Sequence, residues 1–239
     1  MAGMTTFVLV PGFWLGGWAW RPVTDTLRAH GHDVYPLSLT GLGDRAHLAR
    51  TDTDLDTHVT DVLNLLTYED LHDVVLVGHS YAGSVVTVAA DRMPERVSRL
   101  VYVDTGPLPD GATQQDFAAD QAATPDADGL LPPPDWAALA ADVSTVDDAA
   151  VARLTALSVG HPAATATTPI RLTGAWEPLP RLGILSSFTA DQVRAMAANV
   201  PLMRHMAGER WQYEELPTWH WPMISRPADL ARILHESTR

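Results

Sequence analysis

Residues 73–88 read Asp-Val-Val-Leu-Val-Gly-His-Ser-Tyr-Ala-Gly-Ser-Val-Val-Thr-Val, and they constrain the fold more than any other stretch. Val74 to Val77 are an apolar, β-branched run of the kind buried on both faces of a sheet. After Gly78-His79-Ser80-Tyr81-Ala82-Gly83, small and apolar residues continue as a helix through Ala89 and Ala90. A strand that turns sharply into a helix around Gly-x-Ser-x-small has the pattern of a nucleophile elbow. The turn lifts the serine oxygen clear of the backbone, and Gly78 and Ala82 keep its flanks small where strand and helix cross. The serine would also sit at a helix N-terminus, where free N–H groups stabilise negative charge. Ala82 stands where the pattern usually has glycine, and an ordinary strand-to-helix turn is compatible with these residues taken alone.

The surrounding chain supports an α/β architecture. Strands are expected over 5–10, 32–37, 74–77, 99–104, 182–185 and 211–216. Helices are expected over 23–30, 55–68, from Ala82 to about Pro94, over 187–198 with Thr189 as N-cap, and over 227–237. This alternation predicts a mostly parallel, doubly wound sheet with helices on both faces. Residues 106–169 differ in texture, being rich in Ala, Asp, Pro and Thr with a Pro132-Pro133-Pro134 run. Short helices are expected there at 114–122, 136–141 and 147–157, with no strand. Trp136, Leu139, Leu154 and Leu157 favour packing over disorder. The expected organisation is a sheet core of residues 1–106 and 178–239, with a helical cap over 107–177 inserted before the penultimate strand.

Composition narrows the partners. The 239 residues carry a formal net charge of −13 and no cysteine. Such acidity argues against nucleic acid and anionic membrane surfaces. The absence of cysteine removes disulfides, thiolate metal sites and a cysteine nucleophile. No signal peptide and no membrane-spanning run is visible, so a cytoplasmic location is the expectation. No histidine pair has metal-ligand spacing beside a carboxylate, so neither a metal nor another cofactor is expected. The oligomeric state is open, a homodimer included.

A serine hydroxyl needs a base to take its proton. Of ten histidines, His220 is the best candidate, in a loop between the last strand and the last helix. Loops at the carboxyl ends of parallel strands converge on one site. His79 adjoins the serine but should point away from it. His161, His205 and His235 read as surface or core-edge residues. Asp44 and Arg45 read as an exposed loop pair, with contact to substrate as the alternative.

At this point the chain resembles the α/β-hydrolases, and within them the plant methylesterase and hydroxynitrile-lyase branch with its bacterial esterase relatives. The matching pieces are Val8-Leu9-Val10-Pro11-Gly12, Trp14-Leu15-Gly16-Gly17-Trp18-Ala19-Trp20, Thr40-Gly41-Leu42-Gly43-Asp44-Arg45, Gly78-His79-Ser80-Tyr81-Ala82-Gly83 and His220-Trp221-Pro222-Met223. They span nearly the whole chain in the family's order, apart from the variable cap. The resemblance implies an eight-strand-type sheet and the triad order serine, acid, histidine. Ser80 would be the nucleophile and His220 the general base. The backbone N–H groups of Phe13 and Tyr81 would form the oxyanion hole. Trp14 and Trp221 would face the substrate, with Trp18 and Trp20 mostly in the core.

The sequence departs from the family in three places. Pro11-Gly12 replaces the usual His-Gly of the first loop, which a backbone donor tolerates. No aspartate follows the penultimate strand, where the chain reads Leu185-Ser186-Ser187-Phe188. Asp104, at the end of the strand after the elbow helix, is the leading candidate for the acid. Asp191 and Glu177 stay open, as does the absence of any acid. The cyanohydrin-cleaving relatives carry Thr and Lys where this chain has Gly12 and Trp221, which favours an esterase. The expected activity is therefore hydrolysis of a carboxylic ester or lactone of a small, fairly apolar molecule through an acyl-enzyme. A biosynthetic step in secondary metabolism stays open within the hydrolase class, and a C–C lyase of hydroxynitrile-lyase type and a non-catalytic binder on the same fold are the alternatives.

Overall fold

The structure, a computed structural model, describes residues 4–117 and 124–238. Six strands form the main sheet: β1 (Thr6–Val10), β2 (Asp33–Pro36), β3 (Val74–His79), β4 (Val97–Val103), β7 (Arg181–Leu185) and β8 (Trp211–Glu215). Their order is β2-β1-β3-β4-β7-β8 and every neighbouring pair is parallel. The resemblance implied an eight-strand-type sheet; among the described residues the sheet has six strands.

The apolar runs lie in the middle of this order because both of their faces are covered. Successive strand residues point to opposite sides. Val8, Val10, Leu76, Leu100 and Tyr102 pack on the side of α2 (Leu55–Tyr68) and α3 (Ala82–Arg92). Phe7, Leu9, Val75, Val77, Val101 and Val103 pack on the side of α1 (Arg21–Ala29) and α10 (Pro227–Glu236). The helix ends follow local chemistry. Asp54 and Thr57 form a reciprocal capping box at the start of α2. Thr189 and Gln192 do the same for α8 (Ala190–Asn199). After α1 the chain turns through Gly31 at φ +85°, a conformation open to glycine without a Cβ penalty.

Between β4 and β7 the chain forms α4 (Gln114–Phe117), β5 (Leu130–Leu131), α5 (Trp136–Ala140), α6 (Asp148–Leu157), β6 (His161–Pro162) and α7 (Ala164–Thr167). The expected helix at 114–122 runs past residue 117 into positions outside the described residues. Trp136 and Leu154 are buried as expected, whereas Leu139 and Leu157 are exposed. The expectation of no strand here is corrected: β5 and β6 pair antiparallel, Leu131 opposite His161. Two-residue strands carry no readable period, and only the pairing itself defines them.

Three strand tips lie side by side at the carboxyl edge of the sheet. Ser80 N–H donates to the Val103 carbonyl at 3.2 Å, and Asp104 N–H donates to the Ile184 carbonyl at 2.8 Å. The residues following β3, β4 and β7 are thus stitched together before any side chain is considered. No helix among the described residues is long and apolar enough to cross a membrane.

Candidate active site

Ser80 sits between β3 and α3 at φ +52°, in the left-handed region. For a non-glycine residue this conformation is strained and persists only where the surroundings enforce it. The enforcement is visible in the crossing of strand and helix. A Cβ on Gly78 would lie 2.6 Å from the Ala82 carbonyl oxygen and 2.8 Å from Val86. Gly12 meets the turn from the other side, where a Cβ would lie 2.8 Å from the Ser80 Cβ. Ser80 itself is half-buried and open to solvent.

His220 follows β8 in a loop ahead of α9 (Pro222–Ser225). Its Nδ1 meets the Asp104 carboxylate at 2.6 Å, 116 positions away in the chain. Asp104 is also in the left-handed region, at φ +49°. Its side chain is almost wholly buried and every lone-pair direction is used. One oxygen accepts the Ser186 and Ser187 N–H groups at 2.9 and 2.8 Å, and the other accepts the Ser187 hydroxyl at 2.5 Å as well as the imidazole. Burial pushes the carboxyl pKa up, but the bond and charge interaction with His220 and the Ser187 donors outweigh it and bring the value to about 2. An ionised carboxylate can only accept, so His220 carries its proton on Nδ1 and leaves the Nε2 lone pair free.

The other acid candidates lie elsewhere. Asp191 is an exposed first-turn residue of α8 paired with Arg194 at 2.9 Å. Glu177 is exposed beside the turn at Gly174. Ser186 and Ser187 occupy the place where the resemblance put an aspartate, and they serve as donors to the carboxylate of the neighbouring strand. Sequence reasoning missed them; their position right after the penultimate strand was the available signal.

No hydrogen bond joins Ser80 Oγ to His220 among the described residues. The two are linked through His79, whose Nε2 donates to the His220 carbonyl at 2.8 Å and whose ring lies 4.9 Å from the His220 ring. His79 is fully buried, and desolvation together with the neighbouring His220 lowers its pKa to about 3. It is therefore neutral and holds the loop by a donated proton. Its buried Nδ1 has no hydrogen-bond partner among the described residues.

Phe13 and Tyr81 flank Ser80, and neither backbone N–H has an acceptor among the described residues. Their rings pack 4.8 Å apart. The Tyr81 hydroxyl donates to His58 Nδ1 at 3.0 Å, and His58 Nε2 donates to the Thr40 carbonyl at 2.8 Å. Thr40 and Arg45 both bond the buried Asp61, so the half-buried Arg45 belongs to a polar network rather than to an exposed loop pair. Asp44 is exposed.

The tryptophans divide. Trp14 is half-buried, with its indole N–H donated to the Leu131 carbonyl at 3.1 Å. Trp221 is buried against His220, Trp219 and Trp136. Trp20 lies in the core and Trp18 at its edge. His161, expected at a surface or core edge, is instead completely buried. No cluster of three or more metal-ligating side chains occurs among the described residues.

The decisive comparison is with protein families: the model of the alpha/beta hydrolase family matches residues 7–233. The chain belongs to that family. Among relatives, this alpha/beta hydrolase is 48% identical over 101 residues to a carbendazim hydrolyzing esterase of Nocardioides sp. (strain SG-4G), covering 42% of each chain. It is 35% identical over 134 residues to methylesterase 8 of Arabidopsis thaliana, covering 54% of this chain and 46% of that one. The matched segments span less than half the length of these two relatives. Among solved structures, an extracellular alpha/beta-hydrolase from a Paenibacillus species superposes with TM-score 0.79 at 20% identity, covering 98% of this chain and 99% of that one. Polyneuridine aldehyde esterase superposes with TM-score 0.75 at 18% identity, covering 99% and 100%. At these identities the superpositions establish the fold of this alpha/beta hydrolase, and the site carries the argument about chemistry.

Proposed function

We propose that the protein is a serine hydrolase that cleaves a carboxylic ester or lactone of a small, fairly apolar molecule through an acyl-enzyme. The observation that carries this reading is the 2.6 Å bond from His220 to an ionised Asp104, on the strand tip beside Ser80. It supplies the acid whose absence would have favoured a non-catalytic binder. In this reading the insert between β4 and β7 serves as the cap over the substrate site, which the contacts of His161 and Leu131 with the Phe13–Trp14 loop support.

In this reading, His220 Nε2 takes the Ser80 proton as Oγ attacks the ester carbonyl carbon. The carbonyl π bond breaks and its oxygen becomes an oxyanion facing the N–H groups of Phe13 and Tyr81. Asp104 steadies the imidazolium that forms. As the tetrahedral intermediate collapses, His220 returns the proton to the leaving alkoxide, and an alcohol departs. Water then repeats the sequence on the acyl-enzyme and releases the acid. The lack of a Ser80 Oγ–His220 hydrogen bond among the described residues does not count against this reading, since such contacts often form only with substrate bound. Each N–H donor is worth about 2.7–4 kcal/mol of barrier in sites of this type. Relatives named methylesterase and carbendazim hydrolyzing esterase make small methyl esters the first substrates to assay.

The test is Ser80 labelling by a fluorophosphonate combined with turnover of p-nitrophenyl acetate and methyl esters. Labelling and turnover should both vanish in Ser80→Ala. Unlabelled Ser80 in folded, active protein would refute the reading. Buried Trp221, in place of a lysine, leaves a departing cyanide without a cation, so mandelonitrile should release none.

A further inference from the structure

The ring of His161 touches both residues that flank Ser80. It lies 4.0 Å from the Phe13 ring, tilted by 38°, and 5.1 Å from the Tyr81 ring, edge on. It arrives from the segment inserted between β4 and β7, 147 positions after the loop it touches. Three hydrogen bonds join that segment to Trp14. Trp14 N–H donates to His161 Nδ1 at 3.4 Å, the Trp14 carbonyl accepts from Val159 N–H at 3.1 Å, and the indole N–H reaches the Leu131 carbonyl. Trp14 needs holding, because it stands at φ +65°, a costly conformation for a bulky side chain.

The chemistry of the ring suits this work. His161 Nε2 meets the Thr165 hydroxyl at 2.9 Å, and that hydroxyl donates to the Pro162 carbonyl at 2.7 Å. The Thr165 oxygen must then accept from Nε2–H, so Nδ1 is the bare nitrogen able to accept from Trp14. Complete burial, with His58 nearby, keeps the imidazole far from protonation. The ring is thus a neutral acceptor with one fixed tautomer, set against the Trp14 backbone and the rings of Phe13 and Tyr81.

We propose that His161 is a positioning residue for the oxyanion hole, holding the Phe13 and Tyr81 backbone donors in register from the inserted segment. This rests on the hydrolase reading above. The loop carrying Phe13 lies between β1 and the short helical turn at Gly17–Trp20, and lacks ladder bonds of its own. Donors act on a developing oxyanion only when they are fixed in advance at the right distance.

The experiment compares phenyl acetate with phenyl thionoacetate in wild type, His161→Phe, His161→Asn and Thr165→Val. Sulfur accepts hydrogen bonds poorly, so the oxygen-over-sulfur preference reports the donors themselves. His161→Phe keeps the ring and loses the acceptor, and should lower kcat on phenyl acetate about tenfold or more with KM within about threefold. The thiono rate should fall much less, so the preference collapses. His161→Asn, which places a carbonyl oxygen near the Nδ1 position, should recover part of it. Thr165→Val frees the ring to adopt the Nδ1–H tautomer and should lower the preference too, which serves if His161→Phe does not fold. Equal losses on both substrates, or an unchanged preference in both the phenylalanine and valine variants, would overturn the proposal. A wild type that neither turns over phenyl acetate nor takes up fluorophosphonate at Ser80 would instead remove the hydrolase reading, and this proposal with it.

Discussion

Ser187 gives the Asp104 carboxylate both its backbone N–H and its hydroxyl, at 2.8 and 2.5 Å, from the tip of the neighbouring strand. Two adjacent strand ends thereby converge on one imidazole, one with the charge and the other with the donors that keep it ionised. Ser187→Ala should lower kcat by about ten- to a hundredfold, the rate equivalent of losing one hydrogen bond to a charged group. Asp104→Asn should cost far more, up to about 10⁴-fold, because an amide can hold the wrong tautomer of His220. Steady-state kinetics on one methyl ester separates the two. A near wild-type Asp104→Asn would remove that residue from the site.

Acid should weaken the fold in two successive windows. His58 and His79 titrate at about 4 and about 3 in the folded protein, chiefly because burial disfavours their charge. The unfolded chain takes up those protons near the ordinary value of 6.5, so stability is full above 6.5 and falls as the pH drops below it. Each buried histidine contributes a slope of about 1.4 kcal/mol per pH unit. Asp104 acts lower down: its stabilising charge is present above the ordinary value of 3.8 and is lost as the pH falls through about 2. Urea titrations at pH 7, 6, 5 and 4 should show the first slope, and His58→Gln should reduce it by about one proton. A stability that is flat from pH 7 to 4 would contradict the buried neutral histidines.

His79 should matter to rate without touching substrate. His79→Phe fills the same space but leaves the His220 carbonyl without its donor, a loss of about 1–3 kcal/mol for a buried acceptor. The expected outcome is a lower kcat with little change in KM, together with a lower Tm by calorimetry. Unchanged Tm and kcat would mean that the bond at 2.8 Å is dispensable.

The elbow tolerates no added methyl group at Gly78. A Cβ there would press on the Ala82 carbonyl, and backbone yields less readily than a side chain end. Gly78→Ala should destabilise by about 1–3 kcal/mol, the usual range for overpacking. It should also reduce fluorophosphonate labelling of whatever fraction folds, and a fully stable, fully labelled variant would contradict the crossing geometry.

Much of this was legible in the residues. The run Val74 to Val77, the capped helix over 55–68 and the Gly-His-Ser-Tyr-Ala turn each carry a local period or a local steric demand. Asp104 could be nominated because it ends a strand, but its choice over Asp191 and Glu177 needed the third dimension. Ser187 and His161 were not legible, for the same reason. Their importance lies in atoms contributed by residues 83 and 147 positions away; the strand end before Ser187 marks the place but not its partner, and nothing beside His161 marks it at all. Likewise the pairing of Leu131 with His161 depends on a partner rather than on a pattern.

The seam between Trp14 and the inserted segment bears on how such enzymes can be recombined. A chimera that exchanges residues 107–177 for those of a relative exchanges His161, Val159 and Leu131 with them. Such an exchange would therefore disturb the loop beside Ser80 unless those three anchor points are retained, so the insert and that loop form one mechanical unit.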